Sequence, residues 1–165
     1  MKLDTKAKTI DKLSKFRKFN IAKHYFFNVK NFNQNKNKII ENIQSKFKNK
    51  KIAIRSSTLV EDNKKMSMAG QFLSILNIDT SNKVTLIENI LKVINSYKNY
   101  KNYKNEVLIQ EMINNIFISG VITTKDKNTS LPYFNIDYSY SKDSTVVTGG
   151  TENTQSATLW KGKNP

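Results

Sequence analysis

Apolar residues recur at helical spacing in three stretches of the chain. Ile10, Leu13 and Phe16 mark a short helix over 5–18, with Asp4 placed as its N-cap. Ile39, Ile40, Ile43 and Phe47 mark a second over 34–48. Leu86, Ile90, Leu91 and Ile94 mark a third, strongly amphipathic, with Ser81 placed to cap it. Between these lie short apolar or alternating runs bounded by polar residues, the pattern of strands: IAKHYFFNV (21–29), KIAIR (51–55), FLSILNI (72–78), VLIQEMI (107–113), IFISGVITT (116–124), YFNIDYSY (133–140) and a last one near SATLW (156–160). Ser56 to Ala69 reads as a polar loop without prolines, and SYKNYKNYKNE (96–106) as an exposed low-complexity segment. Helices and strands come first and strands dominate the end. That order predicts a mixed α/β (α+β) fold of two unequal lobes, 1–100 and 101–165, the second mostly antiparallel strands. No internal repeat is visible.

Composition narrows the function classes. The chain has 165 residues, about one domain, and its 38% hydrophobic residues suffice for a core. A formal charge of +15 invites a nucleic-acid reading, but the lysines are spread along the whole chain together with abundant Asn, Ile, Tyr and Phe. Nucleic-acid binders concentrate charge and favour arginine forks. A general attraction for anions, nucleotides included, still follows from so positive a field. The absence of cysteine excludes a disulfide framework, a thiolate nucleophile and a cysteine metal site. No run is apolar enough to span a membrane, and the lysine-rich start has no signal-peptide core. A cytoplasmic protein is expected.

Only two of the 28 basic residues are arginines, Arg17 and Arg55. Arg55 ends the apolar run KIAI and is followed by Ser56, Ser57 and Thr58, then by Glu61 and Asp62. A planar guanidinium at a strand end can grip two phosphate oxygens, and adjacent hydroxyls and backbone N–H groups can complete an anion cradle. The acids would orient the arginine or help hold a magnesium ion. The plainer alternative is a solvated loop whose arginine pairs with Glu61 or Asp62. Downstream, SMAGQF (67–72) brings small residues and Gly70, which let backbone approach a ligand closely.

IAIRSSTLVEDNKKMSMAGQFLSILNI (52–78) resembles the nucleotide-binding signature of the phosphoenolpyruvate synthase and pyruvate phosphate dikinase family, a V-R-S-S-A-x-x-E-D segment followed by S-F-A-G-Q and a strand ending L-N-V. VLIQEMI (107–113) resembles that family's V-x-V-Q-x-M-V strand, SGVITTKD (119–126) its S-G-V-x-F-T-R-D, and TKAKTIDKL (5–13) its G-G-K-x-x-N-L-x-x-L. The resemblance implies an ATP-grasp fold, in which two α/β lobes clamp MgATP. It aligns Lys6 and Arg55 with the family's phosphate-contacting lysine and arginine, the groups carrying the catalytic charge. It further implies Ser56, Ser57 and Thr58 lining the phosphate loop and Gly70 in the covering segment. Gln110, Glu111 and Met112 would lie on the strand beside the adenine, offering backbone groups and an apolar face. ATP and Mg2+ are the implied cofactors.

The chain departs from the family pattern at two places. Asp4-Thr5 replaces the glycine pair before the lysine, and Ser141 to Ser144 stands where G-L-G-E precedes V-V-S-G. PYFNIDYS…TVVTGG is similar to a branch that includes an L-glutamine kinase of capsule phosphoramidate biosynthesis. The family's metal ligands and second phosphate arginine lie beyond the segment that VVTGG (146–150) resembles, so none is assigned here. The same resemblance implies an N-terminal fragment, inactive alone, of an enzyme that cleaves ATP to AMP and phosphate. Its β-phosphoryl would pass through a histidine on a downstream domain to a small acceptor, pyruvate or the amide of L-glutamine. His24 sits in an aromatic strand, where a packed or surface role is expected rather than that relay. Two other readings remain: a basic single-stranded nucleic-acid module using SYKNYKNYK as a stacking strip, and a non-catalytic regulator that keeps an ATP-grasp lobe.

Overall fold

A computed structural model describes residues 4–58, 73–97, 104–126, 129–141, 147 and 154–162. Its elements run α1 (Lys6–Ser14), β1 (His24–Asn28), α2 (Val29–Lys46), β2 (Lys51–Ser57), β3 (Ser74–Asp79), α3 (Lys83–Asn95), β4 (Glu106–Glu111), β5 (Ser119–Thr123), β6 (Tyr133–Ser139) and β7 (Gln155–Trp160). The chain divides into two compact units, Met1–Met112 and Ile113–Pro165. The mixed α/β class expected from the sequence is the observed one, with every strand among the described residues pairing antiparallel. The division falls later than 100/101 for a physical reason. β4 pairs with both β1 and β2, so it is an interior strand of the first unit and not the opening strand of the second.

The first unit is a four-stranded sheet in the order β1-β4-β2-β3 with its core on one face. Side chains alternate across a strand, and here Tyr25, Phe27, Ile52, Ile54, Val107 and Ile109 all fall on the same side. They pack with Phe32, Ile39, Ile40, Ile43 and Phe47 from the α2 region and with Leu86, Ile90 and Val93 of α3. The register between β2 and β3 shifts between Ile52 and Ile54, and Asn77 takes a left-handed φ of 60°. That extra residue in β3 lets Ile75 and Ile78 both reach the core despite their odd spacing.

The helix ends differ from the sequence reading. α1 is capped by Thr5, whose hydroxyl accepts the Lys8 N–H, while Asp4 pairs with Lys12 at 2.5 Å. The hydrogen bond from Lys12 holds the Asp4 carboxyl below the usual carboxylate range. α3 is capped by Asn82, not Ser81. α2 starts at Val29, directly after β1, and contains a non-helical residue, Asn35 (φ −131°), where two helical segments join. The apolar periodicity becomes regular only past that kink, which is why the pattern alone placed the start at 34.

Asn28 makes the sharp strand-to-helix switch possible: its Oδ1 accepts the Asn31 N–H at 2.7 Å. Replacing Asn28 with alanine is expected to cost about 1 kcal/mol, seen as a lower urea midpoint with an unchanged slope.

The second unit holds a three-stranded sheet in the order β5-β6-β7. Gly120 faces Tyr138 across the ladder, where a Cβ would come within 2.9 Å of the Asp137 carbonyl oxygen. A glycine is therefore required for this strand approach. Tyr133 and Trp160, cross-strand partners, meet edge to face with ring centroids 4.9 Å apart.

Candidate functional site

The sheet face opposite the core of the first unit carries the polar chemistry. Strand alternation and the pairing register put Arg55 beside Leu108, Ser57 beside Glu106 and Ala53 beside Gln110 on that face. β1 adds Phe26 opposite Leu108 and His24 opposite Gln110. The floor is apolar near its centre, since Leu108 is fully buried and Ala53 nearly so. α1 packs against β4, and its first turn is tied to this face.

Arg55 is half-buried, and its Nε is shielded from solvent with no hydrogen-bond partner among the described residues. A buried, unpaired guanidinium nitrogen costs free energy unless something outside the described groups meets it. An anion on this face would meet that need, and a planar fork is suited to phosphate.

Lys6 is the first residue of α1, and the structure brings that turn to the strand carrying Arg55. The Ala7 N–H donates to Ser57 Oγ at 2.9 Å, and the Thr5 hydroxyl donates to a carboxylate oxygen of Glu106. The Lys8 ammonium stands 3.4 Å from the other oxygen of Glu106. Lys6 thus lies, in the chain, between two residues tied to β4 and β2, the strand that carries Arg55 49 positions later. The first N–H groups of α1 are spent on Ser57 and Thr5, so this helix start offers Ala7 and Lys8 no spare donor for an anion.

The three hydroxyls are placed otherwise than in the sequence reading. Ser56 and Ser57 belong to β2 instead of a loop, and both are buried with Thr58, none exceeding 1% exposure. Ser56 pairs with Val107 on the core side, and Ser57 is the acceptor that docks α1. All three side chains are therefore buried, and Ser57 Oγ is engaged with α1.

β4 separates its candidates by face. Gln110 is partly exposed on the Arg55 face. Glu111 is opposite Ile52, on the other face, and its carboxylate meets the Lys50 ammonium at 3.0 Å. Met112 is half-buried, and its N–H donates to the Lys51 carbonyl at 2.9 Å. The Glu111 N–H is likewise used, by the Lys23 carbonyl at 2.9 Å. The backbone N–H groups of both Glu111 and Met112 are thus engaged within the first unit. Gly70, Glu61 and Asp62 lie outside the described residues.

His24 is a partly buried strand residue. Its Nδ1 lies 3.2 Å from the Ala22 carbonyl and its Nε2 3.7 Å from an Asp11 carboxylate oxygen. Both ring nitrogens face partners of the first unit, in keeping with a packed role. Glu106 escaped the sequence reading. Its one visible signal is an acid at the head of the apolar run VLI, where an unpaired carboxylate would be costly to bury.

A model of the pyruvate phosphate dikinase AMP/ATP-binding domain matches residues 17–161. The chain belongs to that family. The dikinase-family match covers Arg55, the three hydroxyls, Gln110, Glu111 and Met112, and begins after Lys6. No curated protein matches the chain. Among the described residues of this dikinase-family domain, no helix is long and apolar enough to cross a membrane.

Proposed function

We propose that Arg55 and Lys6 hold the phosphates of ATP on the polar face of the first sheet, and that the domain serves a phosphoenolpyruvate-synthase-type phosphotransferase. The observation that carries this reading is the buried Arg55 Nε without a partner, on the strand whose sequence resembles the family's nucleotide signature. The dikinase-family membership supplies the ligand class, an adenine nucleotide. In the proposed reaction ATP is cleaved to AMP and phosphate, and the β-phosphoryl passes through a histidine outside this chain to a small acceptor. That acceptor is pyruvate, or the amide nitrogen of glutamine. The variant around 133–150 supports the glutamine alternative only by resemblance.

This chain's own contribution is positioning and charge neutralisation at the phosphates, the two effects that dominate phosphoryl transfer. Bound with the nucleotide, magnesium would neutralise phosphate charge. Among the described residues no group of three or more acidic, histidine or cysteine side chains gathers to hold a metal ion, so no step is assigned to a protein-bound magnesium.

Amide NMR spectra recorded during a MgATP titration test the reading. Shifts are expected at residues 5–8, 53–58 and 106–110, with Lys50 and Glu111 on the opposite face unmoved. Binding whose shifts instead cluster around Lys50 and Glu111, or no shifts at saturating nucleotide, would reject it.

A further inference from the structure

We infer that Glu106 is the positioning residue for Lys6: its buried carboxylate fixes the start of α1 so that the phosphate lysine stands over the sheet face of Arg55. The inference rests on the reading of Lys6 as a phosphate ligand, and it adds a residue that the sequence motifs do not include.

Glu106 is only 4% exposed, a position where a carboxylate persists because it is paired and hydrogen-bonded. Its partners come from the first turn of α1. Thr5 donates its hydroxyl to one carboxylate oxygen, and the Lys8 ammonium lies 3.4 Å from the other. The same Thr5 oxygen accepts the Lys8 N–H at 3.3 Å, so the N-cap and the anchor are one group. Across the ladder from Glu106 is Ser57, which takes the Ala7 N–H. Lys6 is therefore bracketed, with Thr5 and Ala7 on either side each tied to a neighbouring strand. The negative carboxylate also sits at the helix N-terminus, where it complements the helix dipole.

β4 itself is held from behind, because the Tyr97 hydroxyl donates to the Glu106 carbonyl at 2.5 Å. Lys6 itself is partly exposed. Lys8 has a second consequence. It neutralises Glu106, which would otherwise set a buried negative charge beside the proposed phosphate site. Thr5 replaces a glycine of the family pattern. A glycine has no side-chain donor, so the link from this position to Glu106 depends on the Thr5 hydroxyl.

A double-mutant cycle on MgATP affinity tests this. Glu106→Ala is expected to weaken binding about tenfold when Lys6 is present and not at all when Lys6 is already alanine. Its effect on thermal stability should be the same in both backgrounds, because lost packing does not depend on the Lys6 ammonium. Glu106→Gln, which keeps an acceptor for the Thr5 hydroxyl but not the charge pair, should show a smaller loss, about threefold, and it carries the same test in case Glu106→Ala fails to fold. Amide exchange at Ala7 and Lys8 reads the anchor without nucleotide and should accelerate in Glu106→Ala. Equal affinity losses with and without Lys6, affinity within twofold of the parent, or unchanged exchange at both amides would overturn the inference. Failure of the unmodified chain to bind MgATP would instead show first in wild type and reject the nucleotide reading beneath it.

Discussion

Replacing Arg55 with alanine is expected to weaken MgATP binding about 10- to 100-fold, because hydrogen bonds to a charged phosphate contribute about 1.5–3 kcal/mol each. Titration calorimetry, or the NMR titration repeated on the variant, measures that loss. Stability should move differently. Arg55 Nε is buried without a partner, so truncation removes an unsatisfied donor from the empty protein. The melting temperature of the variant without nucleotide should therefore hold or rise, while the stabilisation that saturating MgATP confers on the parent should vanish. Arg55→Lys should recover only part of the affinity, since an ammonium lacks the planar fork. An Arg55→Ala protein that bound MgATP like the parent would reject Arg55 as a phosphate ligand. One that melted well below the parent would instead show that the guanidinium has a structural partner.

The largest stability effect is expected at Phe32. It is fully buried in α2 and stacks on Phe27 of β1, with ring centroids 5.4 Å apart. Alanine there removes a whole ring from the contact between helix and sheet, at a cost of about 3–5 kcal/mol from lost transfer energy and the cavity left behind. Against a typical domain stability of about 5–15 kcal/mol, that is enough to unfold a substantial share of the first unit at physiological temperature. Urea denaturation followed by circular dichroism measures it. Phe16 is the internal control: it is 59% exposed just beyond the end of α1, and its replacement should stay within about 0.5 kcal/mol. Comparable losses at both positions would mean that the core does not sit where the sheet and α2 place it.

The contrast between those two phenylalanines shows how far pattern can be read. Phe16 continues the apolar spacing of Ile10 and Leu13, yet α1 ends at Ser14 and leaves it outside. Periodicity reports which residues share a helix face, but not how long a sheet extends beneath them. In α2 the reverse happened. The kink at Asn35 hid the first helical segment from the pattern, and Phe32, a major core residue, went with it.

Several features were legible because they depend on neighbours in sequence. The run KIAI specifies a buried strand and puts Arg55 at its end; the alternating apolar positions specify the sheet faces; the ordered blocks around 52–78, 107–113 and 119–126 point to the dikinase family. Tertiary structure alone decided the rest. Alternation assigns parity within β2 and within β4, but the register between strands some 50 residues apart is set by pairing. That pairing places Gln110 with Arg55, turns Glu111 to the opposite face, buries Ser56, Ser57 and Thr58, and sets Glu106 beside Ser57 under the start of α1. A carboxylate at a strand start reads as solvated until an interior strand and a docked helix close over it. That closure is a property of the packed sheet and not of any local stretch of sequence.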